Sequence, residues 1–292
     1  APGGALAGGD VFSHSLNQSL RFEDGDSPRL EYTPAASGNR KTWTLSLWVK
    51  RANITAANRP FFSAGSSATS WAIFFSSDED LFIQSRSSNS NQFVHKTKNL
   101  FRDVSAWYHI VYEFDTTQQT EEARAKLYVN GEQLPLINHS SNTVYPSYDT
   151  EYHVNNSSLT HYIGYGATQN GYLDGYLAEV HFIDGTALDA DNFGETVDGV
   201  WVPKEYTGSH GTYGYYLPFD DNSAIGDDES ANTNDWTVSG GGTPTLVASD
   251  VVLDSPTNNF CTMNPLDKNS MTVSEGNLKV VPSGDYKAIR GT

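Results

Sequence analysis

The sequence predicts an all-β protein, an antiparallel β-sandwich with a β-rich C-terminal extension. Three observations carry that prediction. Short segments of alternating apolar and polar residues recur along the chain, as strands with one buried face require. Aromatic residues make up 12% of the chain and charged residues only 18%, with 25 glycines and many Ser, Asn and Thr, a mixture that favours strands joined by polar turns over helices. The third observation is the pair of segments W-Y-H-I-V-Y-E-F-D and A-K-L-Y-V-N-G between residues 107 and 131. Ile110, Tyr112 and Phe114 alternate in one and Ala125, Leu127 and Val129 in the other, so the two form a hairpin of half-buried strands. Asn130-Gly131 closes the second strand onto its successor, because both residues tolerate the positive φ of a tight turn.

Taken in order, residues 1–13 are Gly/Ala-rich and predict a flexible or extended arm. From Gln18 onward, S-L-R-F-E-D-G-D-S-P-R-L-E-Y reads as a strand, a Gly-containing turn and a second strand. In T-W-T-L-S-L-W-V-K-R, residues 42–51, Trp43, Leu45, Leu47 and Val49 fall on one face and Thr44, Ser46, Trp48 and Lys50 on the other. With both faces substantial, this is a central strand. Residues 61–66, 70–76, 80–85 and 92–98 predict a meander with Ser, Asp and Asn turns. Residues 135–160 show no period and are expected to be a long loop with one strand at most. Regularity returns over 162–188, anchored by Leu177, Val180, Phe182 and Leu188, and 189–195 is the place for one short helix. We divide the chain into the arm (1–13), a sandwich domain (14–198), and an acidic-loop and C-terminal extension (199–292) that packs on the sandwich or leads to a further module.

The formal net charge of −17, from 35 acidic and 18 basic side chains, repels nucleic acid and anionic membranes. No run of 18 apolar residues exists, so no membrane insertion is expected. Cys261 is the single cysteine, which excludes an internal disulfide and a Cys-based zinc site; a buried structural thiol is the expectation. The start lacks a secretory signal and an initiating Met, which points to a processed or partial chain. Sequons at Asn17, Asn53, Asn138, Asn155 and Asn156 are what an Asn- and Ser-rich chain produces by chance.

With those segments in order, the chain resembles the laminin G-like jelly roll of the concanavalin A-like lectin/glucanase superfamily. The resemblance rests on S-L-R-F-E-D-G-D at 19–26, T-L-S-L-W-V-K at 44–50, W-Y-H-I-V-Y-E-F-D at 107–115, L-Y-V-N-G at 127–131 and L-D-G-Y-L-A-E-V-H-F-I-D-G-T-A-L at 173–188. It implies two antiparallel sheets, the concave one commonly used for ligands. Further on, Y-L-P-F-D-D-N-S-A-I-G-D-D-E-S-A-N-T-N-D-W at 216–236, D-S-P-T-N-N-F at 254–260 and E-G-N-L-K-V at 275–280 are similar to segments of virion proteins of marine tailed phages. There they follow such a jelly roll and precede a SPRY-like module, which implies a longer chain.

Glycosidases of this superfamily carry E-x-D-x-E on one strand, their paired carboxylates acting as nucleophile and acid. The nearest match is Glu113-Phe114-Asp115-Thr116-Thr117, where Thr117 can serve as neither. Asp78, Glu79 and Asp80 fall in a turn. Nucleophile elbow, P-loop and dinucleotide fingerprints are absent. His109 and His181 sit beside apolar strand residues and are expected to be packed, and His153 and His161 lack metal-ligand spacing. For a cation, Asp220, Asp221, Asp227, Asp228, Glu229, Asn232, Asn234 and Asp235 crowd one loop and offer the oxygen ligands calcium takes, although the spacing is not an EF-hand's. A solvated loop held by Asx turns is the alternative. For sugars, Tyr145, Tyr148, Tyr152, Tyr165 and Tyr172, with Tyr213 and Tyr215 behind them, are the stacking candidates, and packing between loops is theirs.

The expectation is a non-catalytic virion protein of a tail fibre, tail or head decoration, with a lectin-like domain attaching to host-surface glycans. It would work on the particle surface with other virion proteins and as a homo-oligomer, a trimer if a fibre. A purely structural or cementing protein is the alternative, and a glycoside hydrolase the least favoured.

Overall fold

The computed structural model describes residues 12–140, 144–240, 246–268, 270–282 and 288–292. Most of the expected arm lies outside them. The described chain is a sandwich of antiparallel strands with only single-turn 3-10 helices between them.

The first strands are β1 (Ser19–Phe22), β2 (Pro28–Tyr32), β3 (Thr42–Arg51), β4 (Arg59–Gly65), β5 (Ser70–Phe75), β6 (Asp80–Ser87) and β7 (Ser90–Leu100). The predicted hairpin follows as β8 (Trp107–Asp115) and β9 (Ala125–Val129), and Asn130 and Gly131, at φ 49° and 81°, turn the chain into β10 (Glu132–Leu134). Then come β11 (His161–Ile163), β12 (Tyr165–Gly166), β13 (Gly171–Tyr172) and β14 (Gly175–Asp184). Beyond them lie β15 (Gly194–Val197), β16 (Val200–Pro203), β17 (Tyr215–Leu217), β18 (Thr237–Gly240), β19 (Val251–Val252), β20 (Thr272–Ser274) and β21 (Lys279–Val281).

One sheet is eight-stranded in the order β10-β9-β8-β3-β14-β1-β19, with β17 also on β14; the other is seven-stranded, β18-β2-β11-β4-β5-β6-β7. Strand β3 lies between β8 and β14, the central place its two-faced pattern predicts, and nine of its ten residues are buried. Its Trp43 anchors the core, stacked on Phe114 at 4.8 Å and edge-on to Trp71 of the other sheet at 5.3 Å. Between residues 135 and 160 the described chain contributes only an isolated bridge, Lys96 to Ile137, and the helix expected near 189 is a single 3-10 turn, Ala190–Asn192.

The C-terminal extension is woven into the sandwich. Strands β17 and β19 join the eight-stranded sheet and β18 joins the seven-stranded one. The outer face of the eight-stranded sheet is covered by the segment before β1, by the stretch from Ala190 to Trp201 and by β19. Ala190, Phe193 and Trp201 pack on Val111 and Ile183, while Val252 and Leu16 pack on Trp48, Trp107 and Tyr176. That face is consequently covered in large part by the protein's own chain. Cys261 is exposed, contrary to expectation, because its segment lies outside both sheets.

Candidate functional site

Alternation in the seven-stranded sheet sends Leu30, Ile163 and Phe62 inward and leaves Glu31, Tyr162 and Ser63 as a row across β2, β11 and β4 on the outside. The short ribbon β12–β13 folds over this row. In register, Tyr165 faces Tyr172, their rings 4.8 Å apart, and Tyr162 meets Tyr165 edge-on at 5.2 Å. The Arg29 guanidinium lies 5.2 Å from the Tyr165 ring, is oriented by Glu31 at 2.6 Å, and its Nη1 reaches the Tyr172 hydroxyl at 3.5 Å. All five side chains are partly exposed. The ribbon sits this close because a Cβ on Gly171 would come within 2.6 Å of the Asn58 carbonyl.

Beside the tyrosines opens a cavity of about 490 Å³ whose walls include Tyr172, Asn58, Arg59, Gln169, Asn170 and Asp24. A smaller one of about 230 Å³ shares Asn58, Ser77 and Gln169 and adds Phe74, Phe82 and Gln84. Aromatic rings bordered by amides, a guanidinium and a carboxylate can stack on one face of a sugar while hydrogen-bonding its hydroxyls.

At the edge of the larger cavity, ligand atoms of Glu23, Asp24 and Asp174 all lie within 4.8 Å of one another. Burial, then the charges of Glu23 and Asp24, push the Asp174 carboxyl up to about 7, and burial raises Glu23. Arg59 pairs with Asp24 at 2.5 Å, and the Asn53 amide donates to Asp174. The three carboxylates form a hard oxygen set of the kind calcium takes, with the Asn53 amide donating to one of them.

In the predicted cation loop, part of the oxygen set is engaged in internal hydrogen bonds. Asp228 is buried, and its carboxylate accepts from the backbone of Tyr216, Ser230 and Asn234 and from the Ser230 hydroxyl. Asp235 accepts from the Asp228 amide, and Asp221 from Ser223. The Asn232 and Asn234 amides donate to carbonyls of Gly211, Thr212 and Gly214. Asp220, Asp227 and Glu229 are exposed. Asp221, Asp228, Asn232, Asn234 and Asp235 tie the loop together, and among the described residues only Glu23, Asp24 and Asp174 bring three candidate ligands together.

Of the predicted sugar-stacking tyrosines, Tyr165 and Tyr172 meet in the cluster. Tyr152 is 2% exposed and packs edge-on against Phe93 and Phe114, so no sugar reaches its ring. Tyr145 is partly buried against His95, and Tyr148 is exposed, 5.7 Å from the Arg124 guanidinium and away from the cluster. Tyr215 is in the core and Tyr213 partly buried at another edge. Sequence reasoning missed Tyr162, Arg29 and the acidic trio. Period two through H-Y-I at 161–163 was the available signal for Tyr162, whereas nothing local joins Glu23 to Asp174. Glu113 is held by Lys126 at 2.7 Å and the Tyr128 hydroxyl at 2.9 Å, and Asp115 by Thr42, Thr117 and Gln118.

A sequence-family model described as the concanavalin A-like lectin/glucanases superfamily matches residues 24–192, well over half of the chain. The chain belongs to this superfamily. Its fold is accordingly lectin-like, with the sheets and hairpin described above supplying the jelly roll. No curated protein matches the sequence. Among solved structures, this superfamily member is similar to the heptameric SAP-like pentraxin from Limulus polyphemus, at 16% identity over 60% of this chain and 80% of that one, with a TM-score of 0.40. It is also similar to the Ruminococcus gnavus IT-sialidase CBM40 bound to α2,3-sialyllactose (11% identity, 58% and 91% covered, TM-score 0.36). A third likeness is to domains LG4-5 of the mouse laminin α1 chain (14% identity, 64% and 48% covered, TM-score 0.39).

Proposed function

We propose that this lectin-like protein binds glycans without catalysis, through the outer face of its seven-stranded sheet. The observation that carries the reading is the cluster of Tyr162, Tyr165 and Tyr172 around Arg29, whose Tyr172 also lines the amide-bearing cavity. A sugar stacks on Tyr165 or Tyr172 while Asn58, Gln169 and Asn170 take its hydroxyls. Glu23, Asp24 and Asp174 hold a calcium ion at the cavity's edge, where the ion would neutralise three crowded carboxylates and rigidify the wall that Asp24 contributes. A non-catalytic role is supported by Thr117 standing where the superfamily's glycosidases carry a carboxylate, and by the internal pairing of Glu113 and Asp115.

The place of action, on this reading, is the surface of a tailed-phage particle, in a tail fibre, tail or head decoration that attaches to host glycans. The support is the resemblance of residues 216–236, 254–260 and 275–280 to virion-protein segments. Binding to a glycan array and to host-envelope polysaccharide, with calcium and again with EDTA, tests the reading. Selective binding that weakens in Tyr165→Ala and Tyr172→Ala supports it, and failure of the folded protein to bind any glycan refutes it.

A structural or cementing role is the second reading, favoured by exposed apolar side chains in the C-terminal extension. Leu253, Leu266 and Leu278 are 59%, 61% and 52% exposed and suit burial against other virion proteins or further copies of the chain. Light scattering tests self-association: a trimer supports a fibre, whereas a monomer at high concentration removes the homo-oligomer.

A further inference from the structure

On the outer side of the eight-stranded sheet, β14 carries a bulge between Ala178 and His181, at the gap where its pairing passes from β1 to β17. Glu179 lies in that bulge with φ 51° and is only 4% exposed. Its Oε1 is crowded by His14 Nε2 at 2.7 Å, His181 Nε2 at 3.4 Å and the Tyr216 hydroxyl at 3.4 Å. Its Oε2 is buried and meets no hydrogen-bond donor among the described residues. A buried carboxylate oxygen left without a donor costs about 1–3 kcal/mol or more, so the site favours a ligand that brings one.

Glu179 lines a cavity of about 310 Å³ together with Glu205, Glu229, Tyr206, His210 and Tyr216. Glu205 and Glu229 are exposed, and no Lys or Arg is among the lining residues. Burial pushes His210 down to about 4, so it is neutral near pH 7. Contact with Glu179 raises His14, which is the nearest source of positive charge. The walls are aromatic: His181 stacks on Tyr216 at 4.3 Å, and Tyr206 meets His210 edge-on at 5.1 Å.

We propose that this cavity binds a primary ammonium group carried on a compact polar body, with Glu179 as the anchoring carboxylate. An ammonium offers three donors and no acceptor, which suits the unpaired Oε2. Glu205 and Glu229 add attraction at the mouth, and ring faces stabilise an organic cation. The volume suits a small molecule. A metal ion fits less well, because no three of these His and Glu ligand atoms come within 4.8 Å of one another. The same ammonium can belong to an amino sugar or to a short polyamine, and the site is independent of the tyrosine cluster on the other sheet.

The groups facing Glu179 set the pH dependence: His14 from the N-terminal segment, His181 from β14, Glu205, Tyr206 and His210 after β16, Tyr216 from β17, and Glu229 from the loop beyond. Protonated His14 competes for the carboxylate, so ammonium binding strengthens as pH rises through the titration of His14.

Isothermal titration of the full chain with glucosamine, putrescine, N-acetylglucosamine and glucose, at pH 6.0 and 7.5, tests the proposal. Expected is binding of an ammonium probe, tighter at pH 7.5, with no heat from the two neutral sugars. Binding of glucosamine alone identifies an amino sugar, of putrescine alone a polyamine, and of both the ammonium by itself. Glu179→Gln should weaken binding at least about tenfold. Should that variant not fold, His14→Gln replaces it, with affinity at pH 6.0 expected to rise several-fold. Equal binding of glucosamine and N-acetylglucosamine, unchanged affinity in folded Glu179→Gln, no gain in His14→Gln, or no binding of either cation at millimolar concentration overturns it.

Discussion

Lys50 of β3 and Asp254 of the C-terminal extension form an ion pair of 2.8 Å in which the lysine side chain is wholly buried. The same Nζ is held by the Asn259 side chain at 2.7 Å and the Phe260 carbonyl at 3.2 Å, and the other Asp254 oxygen accepts from Trp107 Nε1 at 3.0 Å. The pair fastens the last part of the chain to the strand at the centre of the sheet. Lys50→Ala leaves a buried carboxylate without its counter-charge and should cost about 3–5 kcal/mol. Urea denaturation measures it, and a loss below about 1 kcal/mol would mean that Asp254 finds water instead.

In the sugar reading, Tyr165 and Tyr172 stack on the ligand while contributing little to the core. Each Ala substitution should weaken glycan binding by about 0.5–1.5 kcal/mol, with unfolding midpoints nearly unchanged. Tyr152→Ala should do the reverse, because its ring packs between Phe93 and Phe114: stability falls by about 3 kcal/mol or more. Binding isotherms beside thermal melts separate the two classes.

On the proposal that Glu23, Asp24 and Asp174 hold calcium, the ion would bind only the folded chain and so stabilise it by mass action. At about one hundred times its Kd the gain is about 2.7 kcal/mol, or several degrees in Tm. EDTA should reverse the shift and Asp174→Asn should abolish it, while Asp221→Asn and Asp227→Asn in the 220–235 loop leave it intact. Loss of the response in the loop variants would return the ion to the loop.

The histidines oppose one another in pH dependence. Contact with Glu179 raises His14 above its ordinary 6.5, so its stabilisation is full below that value and disappears as pH rises through the raised one. Burial pushes His95 and His109 down to about 3 and His161 to about 4. There the unfolded chain binds protons that the folded one refuses, and stability falls as pH drops from about 6.5. Proton NMR titration should find His14 titrating above 6.5 and His109 silent down to about pH 4. His14→Gln should flatten the loss of stability on the alkaline side.

The tyrosine cluster was half legible in the sequence. Tyr165 and Tyr172 were readable as sugar-facing candidates because they lie in loops or at strand ends, but their spacing gave no hint that Arg29 lies against them. Tyr152 looked equivalent, since it also sits in a polar loop; its burial follows from that loop folding back over Phe93 and Phe114. The acidic loop was conspicuous by density alone. Asp221, Asp228 and Asp235 accept from neighbouring backbone amides, the local bonding Asp and Asn favour in turns, while Asp220, Asp227 and Glu229 stay exposed.

Strand identity was determined by the sequence itself, because period-two burial is a local property: β3, the β8–β9 hairpin and the turn at Asn130-Gly131 each follow from a few adjacent residues. Only the tertiary structure decided which face the flanking segments cover, that β17, β18 and β19 complete both sheets, and that Glu23 and Asp24 meet Asp174 at the edge of a cavity. Those relations join residues far apart in the chain. They depend on how two twisted sheets close over one core, to which the local period carries no information.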